Sequence, residues 1–251
     1  MRVAADQRFT ATVDAYDRHR PGYPAALIDW VVATAALAAG ATVVDLGCGT
    51  GISTRLFAGR GFEVIGVDPN EAMLARARER GGLARFVLGD AHATTLPAAC
   101  ADLVVAAQAF HWFDVPRALD EIARVLRPTG SGAAFWNVRA ATPAMDAYEA
   151  LLLARSREYA TLRTPEQTIA AIAASDRVES PVEAEFPNVQ RFDWAGFRGR
   201  VFSSSYVVHG VDDLPAFEVE LRALFDAHAR DGVLDFAYRT IVLAFRPRRA
   251  R

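Results

Sequence analysis

Lysine is missing from this sequence: all 28 basic residues among its 251 are arginine. That absence excludes Schiff-base catalysis, the P-loop lysine and a Tyr-x-x-x-Lys oxidoreductase pair, and it leaves every cationic task to arginine. Cysteine is scarce as well. Cys48 and Cys100 are the only two and lack metal-ligand spacing, so we expect free thiols and no metal site. No apolar run is long enough to span a bilayer, the longest being the alanine-rich stretch 30–39. The N-terminal residues lack the apolar core of a signal peptide, so a cytoplasmic protein with no membrane partner is expected. Neither charge sign dominates. A net charge of -2 and a pI near 6.2 give no electrostatic reason to bind nucleic acid. Repeats and low-complexity tracts are absent too. What is plentiful is hydrophobic sequence, 52%, enough for a large core in one elaborated domain or two small ones.

The stretch 43–51 reads VVDLGCGTG. The apolar residues 41–46 suit a strand covered on both faces, and Ser53 to Ala58 begins a helix, so Gly47, Gly49 and Gly51 fall on a strand-to-helix turn. A residue without Cβ takes positive φ readily and lets a ligand lie against the main chain, while the helix start offers free N–H groups. In the dinucleotide pattern the third glycine stands three places after the second. Here Ile52 occupies that place, so the match to NAD or FAD is imperfect. A second strand over 62–67 ends in Asp68, where a carboxylate can accept from both ribose hydroxyls, which points to adenosine.

From here the chain resembles the class I S-adenosylmethionine (SAM) methyltransferases, in particular the small-molecule type 11 group that includes trans-aconitate methyltransferase-like proteins. VVDLGCGTG resembles the first motif of that family, VIGVDPNEAML (64–74) its ribose-binding strand end, and GDAHATTLP (89–97) its adenine-side turn. ADLVVAAQAFHWFD (101–114) resembles the fourth-strand motif. ARVLRPTGSGAAFWN (123–137) is similar to the helix, turn and fifth strand that follow, with Thr129 where the family usually has glycine. YDRHRPGYP (16–24) resembles an N-terminal arm of the subgroup, and SSSYVV and YRTIVLAF near the end match weakly.

The resemblance implies SAM as cofactor, with S-adenosyl-L-homocysteine as product. It implies a contact set of Tyr16, Arg20, Asp45, Gly47, Gly49, Gly51, Asp68, Pro69, Asn70, Met73, Asp90, Ala91, Gln108 and His111. In that reading Asp45 fixes the turn and faces the methionine amino group, and Asp68 binds ribose. Asp90 accepts from the adenine amine with Ala91 lending its backbone, Asn70 and Met73 flank the adenosine, and Gln108 holds the methionine part. The plainer alternatives are a tight turn for the glycines and a turn cap for Asp90.

A sulfonium cofactor brings its own electrophilic carbon, so the protein must chiefly bind, align and exclude water. A carboxylate acceptor needs no base, whereas an alcohol, phenol or amine needs a group that removes a proton. His111 and Tyr16 are the candidate catalytic residues, although a histidine beside packed aromatics more often orients its neighbours than abstracts protons. Arg20, Trp112 and Tyr206 are candidate acceptor contacts, Arg20 through its planar fork. Arg198 and Arg200 form a second acceptor-facing candidate with Tyr206, but exposed helix arginines are the more ordinary reading of that pair. Trp194 and Phe197 read as core.

Alternating strands and helices predict an α/β fold: a doubly wound, Rossmann-like, seven-stranded, mostly parallel sheet with an antiparallel last strand, plus a helical cap insertion. We expect a helix over 25–38 and strands at 41–46, 62–67, 84–88, 103–106 and 133–137, then an extended run over 183–194 and a strand at 238–245. The expected division is an arm at 1–24, a cofactor core at 25–140, a helical substrate cap at 141–182 and a sheet-completing part at 183–251. The expected function is transfer of a methyl group to a small-molecule acceptor, a carboxylate or another oxygen, nitrogen or carbon nucleophile, by in-line displacement in a monomer or homodimer. The rivals are an NAD-dependent oxidoreductase, a non-catalytic SAM-binding or regulatory protein, and a nucleic-acid methyltransferase. The last lacks its basic face and its Asn/Asp-Pro-Pro-Tyr/Phe motif.

Overall fold

The computed structural model describes residues 18–161 and 164–248. Among them, β1 (Thr42–Leu46), β2 (Glu63–Asp68), β3 (Arg85–Leu88), β4 (Ala101–Ala107), β5 (Leu126–Arg139), β6 (Val178–Phe192) and β7 (Leu234–Pro247) form one sheet in the order β3-β2-β1-β4-β5-β7-β6. The first five are parallel, and β7 enters antiparallel between β5 and β6. The expected antiparallel strand is present and longer than its apolar stretch suggested. β5 is also longer, because pairing with β4 and β7 continues beyond the fully buried residues.

Short β1 and β4 are nearly continuous apolar sequence because both of their faces are covered. On one face, α1 (Ala25–Thr34) and α2 (Ile52–Ala58) bury Leu27, Ile28, Val31 and Phe57 against Val43, Val105 and Phe135. On the other, α4 (Val115–Val125) contributes Leu119 and Ile122 to a core with Val104 and Trp136, while α3 (Glu71–Glu79) lies against β2 and β3. α1 stops four residues earlier than its periodicity predicts, at a turn in which Ala36 takes a φ of +50°. Later helix starts follow a repeated chemistry of an Asp or Thr cap with proline in the first turn: Asp114 with Pro116, Thr142 with Pro143, Thr164 with Pro165, and Asp213 with Pro215.

The stretch 141–182 is divided between two cores. α5 (Pro143–Arg155) joins α7 (Trp194–Phe202), α8 (Ser205–Val208), α9 (Leu214–His228) and the start of β7 in a separate aromatic core containing Tyr148, Phe197, Phe225 and Phe236. α6 (Pro165–Ala173) instead sends Ile169 and Ile172 into the core of the sheet. The periodicity shows which face each helix buries but carries no information about which partner covers it. The outcome for function is geometric: the ends of β4 and β5 meet the aromatic subdomain along one edge of the sheet.

Candidate active site

The turn after β1 is built for close approach. Gly47, Gly49 and Gly51 have φ of +67°, +55° and +79°. A Cβ on Gly47 would stand 2.6 Å from that of Ala109, so glycine lets the turn after β1 lie against the turn after β4. At Gly49 a Cβ would meet nothing within 4 Å, which leaves open space over the main chain. Asp68 ties this turn to β2: its Oδ2 accepts from the Gly49 N–H at 2.9 Å and its Oδ1 from the Asn70 N–H at 2.9 Å. Burial pushes the Asp68 carboxyl up, and these two backbone donors act against that shift. Beneath the turn, Asp45 Oδ2 accepts from the hydroxyls of Ser53 and Thr54 at 2.6 Å each, fixing the first turn of α2. Burial raises its pKa to about 6, with those hydroxyls opposing the shift and the nearby Asp68 charge adding to it. Cys48 beside it is a buried free thiol, also pushed up by burial.

Other expected contacts are placed unequally. Asn70 caps α3, its Oδ1 accepting from Ala72 and Met73 N–H groups, and the Met73 side chain is only 3% exposed, so both work in the fold. Pro69 is exposed next to them. Asp90 accepts from the His92 N–H at 2.7 Å, the turn-cap arrangement, while half of its carboxylate stays open; Ala91 is buried behind it. Tyr16 lies outside the described residues.

After β4, Gln108 takes a φ of +54°, a left-handed conformation that a non-glycine residue adopts only where its surroundings enforce it. Its N–H donates to Phe135 O at 2.8 Å, and its Oε1 is buried with no hydrogen-bond partner. His111 follows. Its Nδ1 accepts from Trp136 Nε1 at 3.3 Å, so a neutral ring carries its proton on Nε2. In that tautomer Nε2 is a hydrogen-bond donor.

Gln108, His111 and Trp112 form one wall of a cavity of about 450 Å³. Its other walls come from Arg20, the end of β5 (Asn137, Arg139), α5 (Glu149, Leu153), Tyr159, α7 (Arg200), α8 (Tyr206) and β7 (Tyr238). Side chains of the sheet seat the segment before α1: the Gly22 carbonyl accepts from Asn137 Nδ2 at 3.1 Å and from Asn188 Nδ2 at 3.0 Å, and Arg20 donates to Ser203 O at 3.3 Å. Arg198 is an exposed helix arginine paired with Glu218. Arg200 is not. It is 5% exposed, and it bonds the Tyr238 hydroxyl at 3.0 Å and the Ser204 hydroxyl at 3.1 Å. Trp194 and Phe197 pack in the aromatic core as expected. Sequence reading missed Asn137, Arg139, Glu149, Tyr148 and Tyr159. Only the position of Arg139 at the end of β5 offered a signal.

Residues 44–134 match the family described as a methyltransferase domain. Over that stretch the chain is similar to methyltransferases. An uncharacterised methyltransferase of Mycobacterium bovis is 43% identical over 131 residues, which is 52% of this chain and 52% of that protein. The chain thus spans about half the length of the curated relatives it matches. A solved structure provisionally assigned as a type II methyltransferase from Anaeromyxobacter dehalogenans is 28% identical, covers 90% of this chain and 97% of its own, and has a TM-score of 0.66. A SAM-dependent methyltransferase of Geobacter sulfurreducens, solved with S-adenosyl-L-homocysteine, shares the fold at 21% identity and TM-score 0.55 over 96% of this chain and 98% of its own.

The turn fits SAM, the cofactor expected from sequence, on structural grounds. Two buried oxygens, Asp45 Oδ1 and Gln108 Oε1, have no hydrogen-bond partner. A donor is what they lack, and SAM carries an ammonium group. The backbone at Gly49 is open above, and the partly exposed Asp90 carboxylate lies on the same edge of the sheet.

Proposed function

We propose that the protein transfers a methyl group from SAM to a small-molecule acceptor held in the 450 Å³ cavity. The supporting observation is that Gln108 both follows the cofactor-side strand and lines this cavity, so donor and acceptor share a wall. When bound, SAM supplies a methyl carbon made electrophilic by its sulfonium; displacement needs an acceptor atom in line with it at about 3–3.5 Å. In this reading Gly47, Gly49 and Gly51 present the main chain, and Asp45 and Gln108 hold the methionine portion. Asp68 takes the ribose and Asp90 with Ala91 the adenine. Arg20 closes over the site, and Trp112 presents a π face to positive charge. His111 donates from Nε2 and orients the bound group. α5 and the 3-10 turn at 159–161 roof the acceptor. The three guanidiniums of Arg20, Arg139 and Arg200 favour an acceptor that carries or develops negative charge.

Calorimetry against SAM, S-adenosyl-L-homocysteine and NAD tests the cofactor, and S-adenosyl-L-homocysteine release across a panel of small acids, phenols and alcohols tests turnover. Asp68→Ala is expected to weaken SAM binding by about ten-fold or more, since it removes a charged acceptor. Wild-type affinity in that variant, or binding of NAD in place of SAM, would overturn the assignment.

A further inference from the structure

The cavity holds more buried positive charge than its carboxylates balance. Arg139 on β5 pairs with Glu149 of α5, which also accepts from the Tyr159 hydroxyl at 2.6 and 2.7 Å. Arg200 on α7 has no carboxylate partner among the described residues; its bonds go to the neutral hydroxyls of Tyr238 and Ser204. Tyr206 of α8 lines the same cavity, and Tyr148 of α5 neighbours it and both arginines. Tyr206 packs on the Tyr159 ring at 5.1 Å, and its carbonyl is clamped by the Ser156 hydroxyl at 2.7 Å. The Arg139 guanidinium lies 5.3 Å from the ring centres of both Tyr148 and Tyr159. The Tyr148 hydroxyl is buried with no hydrogen-bond partner.

Two kinds of anion can complete such a cluster: a carboxylate of the bound acceptor, or a phenolate of the protein. The bonding favours the second. A bidentate carboxylate needs two adjacent free N–H groups on one guanidinium edge. Arg139 spends one edge, Nε and Nη2, on Glu149 and a further Nη2 bond on the Tyr159 hydroxyl, and Arg200 uses Nε and Nη1, so neither presents an edge with both donors free. Tyr159 is committed to Glu149, and the Tyr238 hydroxyl accepts from Arg200 while donating to Gln190 at 2.8 Å. Tyr206 is the phenol left facing the cavity, with His111 across from it in the donor form.

We infer that Tyr206, held among Arg20, Arg139 and Arg200, is the proton acceptor of the reaction, and that the group methylated is a weakly acidic hydroxyl such as a phenol or enol. The inference rests on the proposed methyl transfer. In that step the acceptor O–H proton passes to the Tyr206 phenolate oxygen as the acceptor oxygen forms the bond to carbon. The carbon–sulfur pair moves onto sulfur, leaving a neutral thioether, and the phenol later releases its proton to solvent. Burial opposes ionisation of Tyr206, Arg139, Arg200 and Arg20 favour it, and the Ser204 hydroxyl adds a hydrogen bond. The phenols of Tyr148, Tyr159 and Tyr238 stand beside it, His111 lines the same cavity, and the cavity carboxylates Glu149 and Glu166 pair with Arg139 and Arg239. The balance holds the Tyr206 phenol below its ordinary value, at about 8.

Tyrosinate absorbance near ~295 nm, followed against pH in the full chain without acceptor, reads this directly. One tyrosine is expected to ionise at about 8, ahead of Tyr148 and Tyr238, and Tyr206→Phe is expected to lose that step with its melting transition kept. With a hydroxyl acceptor, kcat/KM is expected to rise with pH up to about 8 and then level. Tyr206→Phe should lower kcat about a hundred-fold and lose the limb, with SAM affinity unchanged. A wild type in which no tyrosine ionises early overturns the inference, as does a variant that keeps both limb and rate, or turnover confined to carboxylates. Failure to bind SAM would overturn the function itself while leaving the phenolate titration intact, so the two failures are separable.

Discussion

Asp45 shows how a glycine-rich turn stores strain in a single side chain. Folded, its carboxyl holds a proton to about pH 6 against an ordinary 3.8, so the native state binds more protons than the unfolded chain between those values. Stability therefore falls as pH rises through that window. Above it the ionised carboxylate costs about 3 kcal/mol until a cationic ligand arrives. Asp45→Asn keeps an oxygen for Ser53 and Thr54 but discards the charge. We expect this variant to lose the decline between about pH 4 and pH 6 and to melt higher than wild type at pH 7.5 in denaturation scans. It should also bind SAM about ten-fold more weakly or worse in calorimetry. An unchanged pH profile would mean that Asp45 is not strained. The same scale explains one outcome of sequence reading: the left-handed Gln108 makes a buried oxygen available, a property that residue type alone does not announce.

Among elements, the sharpest fit is between α7 and the segment preceding α1. A Cβ on Gly199 would collide with the His19 ring, so the helix forgoes a better helix former to let that segment lie flat. Gly199→Ala should raise helix propensity by about 1 kcal/mol while lifting His19 away. The expected result is an unchanged or higher melting temperature with a several-fold higher KM for the acceptor. A fall in both stability and kcat would instead indicate general damage. Elements were legible where their chemistry is local. The glycine turn and the Asp or Thr caps followed by proline lie within a few residues of what they control, and Asp68 was legible from its place at the end of β2. Arg200 was not legible, because its partners Tyr238 and Ser204 and the cavity it faces come together from β7, α8 and α5. An arginine in WAGFRGRVF looks like any solvated helix residue until Tyr238 is brought over it. Asn137 and Asn188 were hidden for the same reason: both point at Gly22, more than 100 residues away in sequence.

At the scale of the whole molecule, binding at the edge of the sheet bridges two cores, since the cavity walls come from both. A ligand specific to the native state stabilises it by about 2.7 kcal/mol at a hundred times its dissociation constant. For a domain of this size that corresponds to about 5–10 °C in melting temperature. SAM is expected to produce this shift in differential scanning fluorimetry and NAD to produce none; the reverse pattern would contradict the proposed cofactor. The strand order carries a further consequence, for biosynthesis. β6 has β7 as its sole neighbour in the sheet, and β7 is translated last of the seven. While the ribosome is still making residues 193–233, β6 has no template to pair with. At about 5–20 residues per second it waits several seconds as an exposed strand of 15 residues. Its alternating glutamates, Glu179, Glu183 and Glu185, supply the like charge that keeps nascent chains from pairing through it in that interval.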